Sequence, residues 1–232
     1  MTNYIYLIVM SFPALIWIFL YLYRKDVRKE MLIMSGVVLV IGEIMQYFLW
    51  TKDWFAPKTL TGTVLGAEDF LGLFGAGGAA AVIYEELLRK KLKLIKSKSH
   101  FSIWYALILF ILFVGSHSIS SLIFDLHSWI SWTIATIIPV AFIYFLRPDL
   151  IVNSLVTGAI WVIFSFIGYP IIYLIHPAFL TEWFMLDNLT GVIFFKSLPL
   201  EDVIWWMTFG MFIGPLYEFV KGAKLRDLEK PS

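Results

Sequence analysis

A chain of 232 residues that is 60% hydrophobic and 15% charged, with a mean hydropathy of +0.82, is too apolar for a soluble domain and belongs in a lipid bilayer. It has no cysteine, which excludes disulfides, thiolate nucleophiles and cysteine metal sites. Its four histidines (His100, His117, His127, His176) lack zinc-binding spacing, so no metal site is expected. A net charge of +1 gives no reason to expect a nucleic-acid partner.

Seven apolar runs of about 20 residues follow one another, each able to cross a hydrocarbon core of about 30 Å as a helix. They cover residues 4–23, 31–50, 66–88, 101–123, 129–146, 150–175 and 199–220. The runs are continuous and lack the alternation of barrel strands, so the expected fold class is an all-α integral membrane protein. No basic residue precedes the first run and no small-residue cleavage site follows it, which predicts a retained helix rather than a signal peptide. The segment between the last two runs mixes Trp183, Phe184, Phe194 and Phe195 with His176, Glu182 and Asp187, as an interfacial stretch does.

Charge placement predicts orientation. Arg24, Lys25, Arg28 and Lys29 follow the first run, and Arg89, Lys90, Lys91, Lys93, Lys96 and Lys98 follow the third. Arg147 follows the fifth, and Lys221, Lys224, Arg226 and Lys230 follow the seventh. One face thus holds 15 of the 18 basic residues, leaving Lys52, Lys58 and Lys196 opposite. The expected topology has the N-terminus outside and the C-terminus cytoplasmic, in a multi-pass protein of the cell membrane.

The halves of the chain resemble each other. Phe19-Leu20-Tyr21-Leu22-Tyr23-Arg24-Lys25-Asp26 matches Phe142-Ile143-Tyr144-Phe145-Leu146-Arg147-Pro148-Asp149 at an offset of 123, and Leu60-Thr61-Gly62 matches Leu189-Thr190-Gly191 at 129. Glu68-Asp69, Gly77, Ala81 and Tyr84-Glu85 match Glu201-Asp202, Gly210, Gly214 and Tyr217-Glu218 at a common offset of 133. This ordered series predicts a parallel 3+1+3 tandem repeat: residues 1–95, a linking helix in 96–126, and residues 127–232. With one linking helix both halves cross in the same direction, so their pseudo-twofold axis is expected along the membrane normal. The small residues four apart, Gly77 with Ala81 and Gly210 with Gly214, are expected at close helix crossings. Gly75-Ala76-Gly77-Gly78 lies inside an apolar helix with no preceding strand and is not a nucleotide loop.

Glu68-Asp69 and Glu201-Asp202 each open a membrane helix. Glu201 stands 20 residues before Lys221, so the pair lies near one edge of the core, about 30 Å from the other. First-turn carboxylates complement the helix dipole, and Pro199 suits a helix start. Yet both pairs sit in apolar surroundings, where ionisable groups are expensive and by default functional. Two adjacent carboxyls in a poorly solvated site resist ionising together, and a held proton beside a carboxylate is acid and base at once. Trp205 and Trp206 follow one helical turn later, with π faces suited to a carbocation. In the first half Phe70 stands next to the pair.

Pro199-Leu200-Glu201-Asp202-Val203-Ile204-Trp205-Trp206 resembles the Pro-x-Glu-Glu/Asp motif, followed by apolar and aromatic residues, of the lycopene cyclase domain family of archaea, actinobacteria and fungal bifunctional enzymes. The resemblance covers nearly the whole chain, since that family too is built from two tandem three-helix domains. It implies a carotenoid substrate: the linear ψ ends of lycopene become β-ionone rings with no net redox change. Protonation of a terminal alkene, ring closure and loss of a proton would be served by Glu201 and Asp202 first, with Glu68 and Asp69 across the pseudo-twofold axis. Gly66-Ala67-Glu68-Asp69-Phe70 departs from the motif in lacking the proline and paired aromatics, and Asp stands for the second Glu in both halves.

Glu43, with Gln46 a turn on, and His117, among Ser116, Ser118, Ser120 and Ser121, are candidates for a proton relay. Glu85, Glu86 and Glu218 lie at the basic edge, where salt bridges are expected. No nucleotide-binding motif is present; the sequence leaves open a reduced flavin, the number of rings formed and a homo-oligomer. The alternative reading is a small sugar-carrier-like transporter, also 3+1+3, with Pro13, Pro139 and Pro170 as hinges. Against it, no Pro-Gln pair occurs and inward-facing amides are few. The seventh run holds no mid-membrane lysine for a retinal Schiff base, and a prenyltransferase's aspartate-rich metal motifs are absent.

Overall fold

The computed structural model describes residues 4–94 and 103–227; Lys96, Lys98, His100 and Lys230 lie outside the described residues. Among the described residues, seven helices are long and apolar enough to cross a membrane: α1 Ile5–Tyr23, α2 Arg28–Asp53, α3 Ala67–Leu87, α4 Ile103–Ile123, α5 Ser128–Leu146, α6 Pro148–Ile175 and α7 Leu200–Lys221. Each falls within a few residues of its predicted run. The chain is thus a multi-pass membrane protein, with α1, α3, α5 and α7 all starting at the end that carries both acid pairs. The helices stay intact through Pro13, Pro139 and Pro170, as bilayer helices do where neighbours shield the freed backbone groups.

Four of these helices depart from regular α geometry: α4 ends in a π-turn over Ile119–Ile123, α6 opens with a 3-10 turn over Pro148–Leu150, and α2 and α7 are irregular as follows. The end of α2 widens into a π-turn over Gln46–Trp50, an irregularity common at functional sites, and both terminal residues of that turn are buried. Near its far end α7 breaks between Ile213 and Leu216 at Gly214-Pro215, and it stops at Gly222, whose φ of +60° is the left-handed cap that glycine allows.

Packing follows from where side chains are missing. α3 runs between α1 and α2 on a row of glycines and alanines. A Cβ on Gly75 would meet the α1 backbone at 2.5 Å (Ala14 N), and one on Gly77 would meet Val38 of α2 at 2.5 Å. At the crossing of α6 and α7, a Cβ on Gly210 would stand 2.7 Å from Gly158 Cα. The expected packing role of the small residues holds, since lipid offers no hydrophobic drive and helices gain by approaching closely. Gly210→Leu is therefore expected to push α7 off α6 and cost about 1–3 kcal/mol. This would appear as a melting midpoint lower by roughly 3–10 °C for the detergent-solubilised protein. Gly115→Leu, where nothing lies within 4 Å of the added Cβ, should melt like the parent chain.

Beyond the helices, β1 Lys90–Leu94 pairs antiparallel with β4 Ala223–Asp227 at the basic end, while β2 Ile193–Phe194 pairs with β3 Leu198–Pro199 at the acid-pair end. The predicted interfacial segment after α6 folds there into a cap. Its short helix Phe179–Trp183 buries Phe179, Leu180 and Trp183. The cap is stitched to the segment after α2 by Ala56 N–H donating to the Trp183 carbonyl (2.8 Å) and Met185 N–H to the Trp54 carbonyl (2.9 Å). Asn188 adds a side-chain bond to the Asp53 carbonyl (2.8 Å), and the Asp53 carboxylate itself accepts from Ser128 N–H (2.8 Å) at the start of α5. Asp53 thereby joins α2, α5 and the cap.

At the basic end Arg24 makes the predicted salt bridge to Glu86 (2.9 Å) and another, not expected from the sequence, to Asp26 (2.8 Å). The fork-like bond from Arg24 holds the Asp26 carboxyl below the usual carboxylate range and raises the guanidinium above its own. Glu85 stands at 3.8 Å from Arg24, and Glu218 takes its hydrogen bond from Asn153 (2.6 Å) instead of a cation.

Candidate active site

Both acid pairs occupy the second and third positions of their helices. α3 has Gly66 as N-cap and α7 has Pro199, so Glu68 and Glu201 fall at the second position and Asp69 and Asp202 at the third. The glutamates reach sideways to a preceding loop: Glu68 Oε1 accepts Leu60 N–H at 2.6 Å, and Glu201 Oε1 accepts Thr190 N–H at 2.6 Å. Both loops turn on a glycine in the left-handed region, Gly62 (φ +69°) and Gly191 (φ +79°), where a side chain would be strained. The second oxygen of each glutamate, Oε2, is buried with no hydrogen-bond partner.

The aspartates point the other way, each onto a tyrosine. The Tyr6 hydroxyl of α1 donates to Asp69 Oδ1, and the Tyr169 hydroxyl of α6 donates to Asp202 Oδ2. The remaining oxygens differ, and the cause is a single residue. A carboxylate at the third helical position folds back to accept the N–H of the N-cap, and Asp69 Oδ2 does so from Gly66 at 2.8 Å. Proline has no N–H to give, and among the described residues Asp202 Oδ1 is buried with no hydrogen bond of normal geometry, the Trp54 indole N–H being the donor that interacts with this carboxylate. Pro199 thus leaves one oxygen of Asp202 without the backbone N–H that Gly66 gives to Asp69.

Asp69, Asp202 and their two tyrosines line one cavity of about 540 Å³. Trp50, Trp54, Trp161, Trp183, Trp205 and Trp206 supply much of the wall. Apart from the tyrosine–aspartate pairs, the hydroxyl and amide groups on it are Gln46 and Ser165, among the described residues. The indoles are held rigidly: Trp206 stacks on Trp161 (5.1 Å, 6° between planes), and Trp205 stacks on Phe209 (5.2 Å, 6°) while meeting Trp50 edge-on (5.6 Å). The cap closes the cavity on the acid-pair end. Trp183 packs edge-on against Tyr6 (5.4 Å), Phe179 packs against Tyr169 (6.1 Å), and the two cap residues touch each other (5.3 Å). Sideways the cavity runs out between α1 and α6, where Ile8, Phe12, Leu15, Ile167, Ile171 and Ile175 line it and are exposed on the bundle surface. In a bilayer that surface faces acyl chains.

Of the residues singled out from sequence, the cavity gathers Asp69, Asp202, Trp205 and Trp206. Glu68 and Glu201, at 0% and 1% exposure, lie behind them and do not line it. Phe70 points outward, 48% exposed, and is not part of the wall. Glu43 is buried one turn from Gln46, with both oxygens unpartnered among the described residues, but it does not line the cavity either. His117 is buried in α4, its Nε2 without a partner, and is not in the wall.

Sequence reasoning missed Tyr6, Tyr169, Trp54, Trp161 and Trp183. The tyrosines lie 63 and 33 residues from their aspartates, and a tyrosine near the end of an apolar run reads as an interfacial residue. One signal was available: Tyr169 lies deeper than the end of its run, where a phenol needs a polar partner.

Residues 127–220 match the family model described as lycopene cyclase. The match takes in α5, α6, the cap and nearly all of α7, and with them Tyr169, Pro199, Glu201, Asp202, Trp205 and Trp206. α1 to α4, with Tyr6 and Asp69, lie outside it. No curated protein and no solved structure matches the chain.

Proposed function

We propose that the chain is a lycopene β-cyclase, an enzyme that isomerises the linear ψ ends of lycopene or a related carotenoid to β-ionone rings without net redox change. The observation that carries the reading is an aspartate with one oxygen that no backbone N–H binds, facing an indole-lined cavity that is capped towards one membrane surface and open towards lipid. The match of residues 127–220 to the lycopene cyclase family supports it and implies an enzyme.

In this reading the polyene enters between α1 and α6, as a lipid-soluble molecule can, and seats one end beside Asp202. The protonated carboxyl of Asp202 gives its proton to the terminal alkene, leaving a tertiary cation. The neighbouring double bond attacks the cation, forming the ring's new carbon–carbon bond and moving the positive charge to a ring carbon. Loss of a ring proton to the carboxylate restores a double bond and reloads the acid, so atoms and electrons balance. Trp205, Trp206 and Trp161 supply the aromatic wall beside the passing cation, and the scarcity of polar groups keeps water from trapping it. Tyr169 holds the carboxyl in place. Asp69 with Tyr6 lines the same space and is a second acid–base candidate for the other half.

The 3+1+3 repeat, with its N-terminus outside in a cell membrane, is part of the same proposal. Supporting it, the glutamate-to-loop bonds recur in α3 and α7, and the β1–β4 ribbon centres on Leu92 and Leu225, 133 residues apart like Glu85 and Glu218. A sugar carrier would line its path with amides and hydroxyls, which this cavity largely lacks.

The test is expression in a lycopene-accumulating bacterium followed by chromatography of the pigments. γ-Carotene is the expected product if one end reacts and β-carotene if both do. Unchanged lycopene, with the protein demonstrated in the membrane, would overturn lycopene as the substrate.

A further inference from the structure

At the basic end, away from the cavity, three glutamates meet that play no part in the proposed cyclisation. Glu30 comes from the start of α2, Glu85 from the end of α3 and Glu218 from the last turns of α7. They are 2%, 0% and 0% exposed, and one carboxylate oxygen from each lies within 4.8 Å of the other two. Among the described residues, both oxygens of Glu30, both of Glu85 and Oε2 of Glu218 have no hydrogen-bond partner.

Two cations among the described residues reach this cluster, Arg24 and Arg147, and each is paired at shorter range with another carboxylate, Asp26 and Asp149. Arg24 has five N–H donors, and all are committed elsewhere: to Asp26 (2.9 and 2.8 Å), Glu86 (2.9 Å), and the carbonyls of Lys90 (2.8 Å) and Glu85 (3.5 Å). Its approach to the Glu85 carboxylate is the 3.8 Å contact. On the fourth side Asn153 of α6 donates to Glu218 Oε1 (2.6 Å) and accepts from Thr157 (3.1 Å), which fixes the orientation of Glu218 but adds no charge.

We propose that Glu30, Glu85 and Glu218 bind a divalent cation of the oxygen-preferring kind, Mg²⁺, Ca²⁺ or Mn²⁺, which ties α2 and α3 to α7. Oxygens on opposite sides of a calcium ion stand about 4.6–5.2 Å apart, given bonds of roughly 2.3–2.6 Å, and adjacent ligands stand closer, so the spread of these atoms suits a common ion. The donor set is all carboxylate, with no imidazole or thiolate, which disfavours zinc and copper. Asn153 orients a ligand from outside, as groups behind metal ligands do. No histidine or cysteine spacing announces such a site; it is assembled from three glutamates far apart in sequence. Its place between the first three helices and the last makes it a clamp, felt in stability.

The test uses the full chain in detergent, stripped with EDTA and dialysed against Mg²⁺, Ca²⁺ or Mn²⁺, with bound metal counted by mass spectrometry and melting followed in parallel. About one ion per chain is expected, with a higher melting midpoint in the ion than in EDTA. Glu30→Gln and Glu218→Gln, which keep shape and lose charge, should each lower bound metal at least about ten-fold and abolish the ion-dependent shift. Glu182→Gln, in the cap, should retain both. A parent chain that binds none of the three ions and melts identically with and without EDTA overturns the proposal, because the glutamates are then simply protonated. Equal binding by the glutamine variants overturns it too. Neither result depends on pigment formation, so the clamp and the cyclase reading fail separately.

Discussion

Asp202→Asn is expected to lower conversion of lycopene by about 10²- to 10⁴-fold, the span that a positioned acid or base contributes. Asn keeps the shape of the side chain and an oxygen for the Tyr169 hydroxyl, but it carries no transferable proton. Loss of fold is not expected: the variant replaces with an amide nitrogen of similar size an oxygen that no backbone N–H binds. The comparison that gives this force is Asp69→Asn. Asp69 faces the same cavity, but Tyr6 occupies one of its oxygens and Gly66 N–H the other, so its proton traffic is encumbered and its loss should cost less. Glu201→Gln should also cost less, since Gln retains an acceptor for Thr190 N–H and Glu201 does not reach the cavity. The measurement is the ratio of cyclic to linear pigment, normalised to membrane protein, in cells carrying each variant. Near-normal ring formation in Asp202→Asn, with none in Glu201→Gln, would move the acid from the cavity wall to the residue behind it.

Much of the bundle was readable because a bilayer imposes one strong rule: a span must be long, apolar and helical. The seven runs therefore lie close to α1–α7, and small residues spaced by four (Gly77 with Ala81, Gly210 with Gly214) marked the crossings at α3 and α7. The helix ends were less legible. α2 continues through a π-turn to Asp53, since Lys52 and Asp53 break the apolar run while the backbone goes on to place Gln46 and Trp50 in the cavity wall. The acid pairs could be found from sequence because charge in an apolar context is conspicuous. The division of labour within each pair could not, because adjacent residues at a helix start point about 100° apart and only the packing decides which faces the cavity. Phe70 shows the same limit: it adjoins Asp69 in sequence yet turns outward. The tyrosine partners and the three-glutamate cluster were hidden for a further reason. Each joins residues from distant segments, and hydropathy reports how deep a residue lies, not what stands across from it.

Pro199→Ala tests why one oxygen of Asp202 lacks a backbone donor. Alanine at the N-cap restores the N–H that proline lacks, and the Gly66–Asp69 bond shows where such an N–H goes in the same helical setting. Pro199 has φ −62° and ψ 146°, extended backbone that alanine adopts without strain. The new donor should therefore close on Asp202 Oδ1. A hydrogen bond to a charged group is worth about 1.5–3 kcal/mol, and it favours the carboxylate over the protonated acid. Protonation of the alkene should accordingly slow by roughly 10- to 100-fold, read as the initial rate of cyclic pigment formation by membranes supplied with lycopene. A merely damaged helix start would lower rate and stability together. Here the added bond should hold the melting midpoint level or raise it while the rate falls, because losing proline's restraint on the unfolded chain costs only about 0.4–1 kcal/mol. A full rate in Pro199→Ala would mean that the oxygen does not need to lack a backbone donor, and would remove the physical reason offered for a proline ahead of the acid pair. A lowered midpoint together with a lowered rate would assign Pro199 to the fold alone.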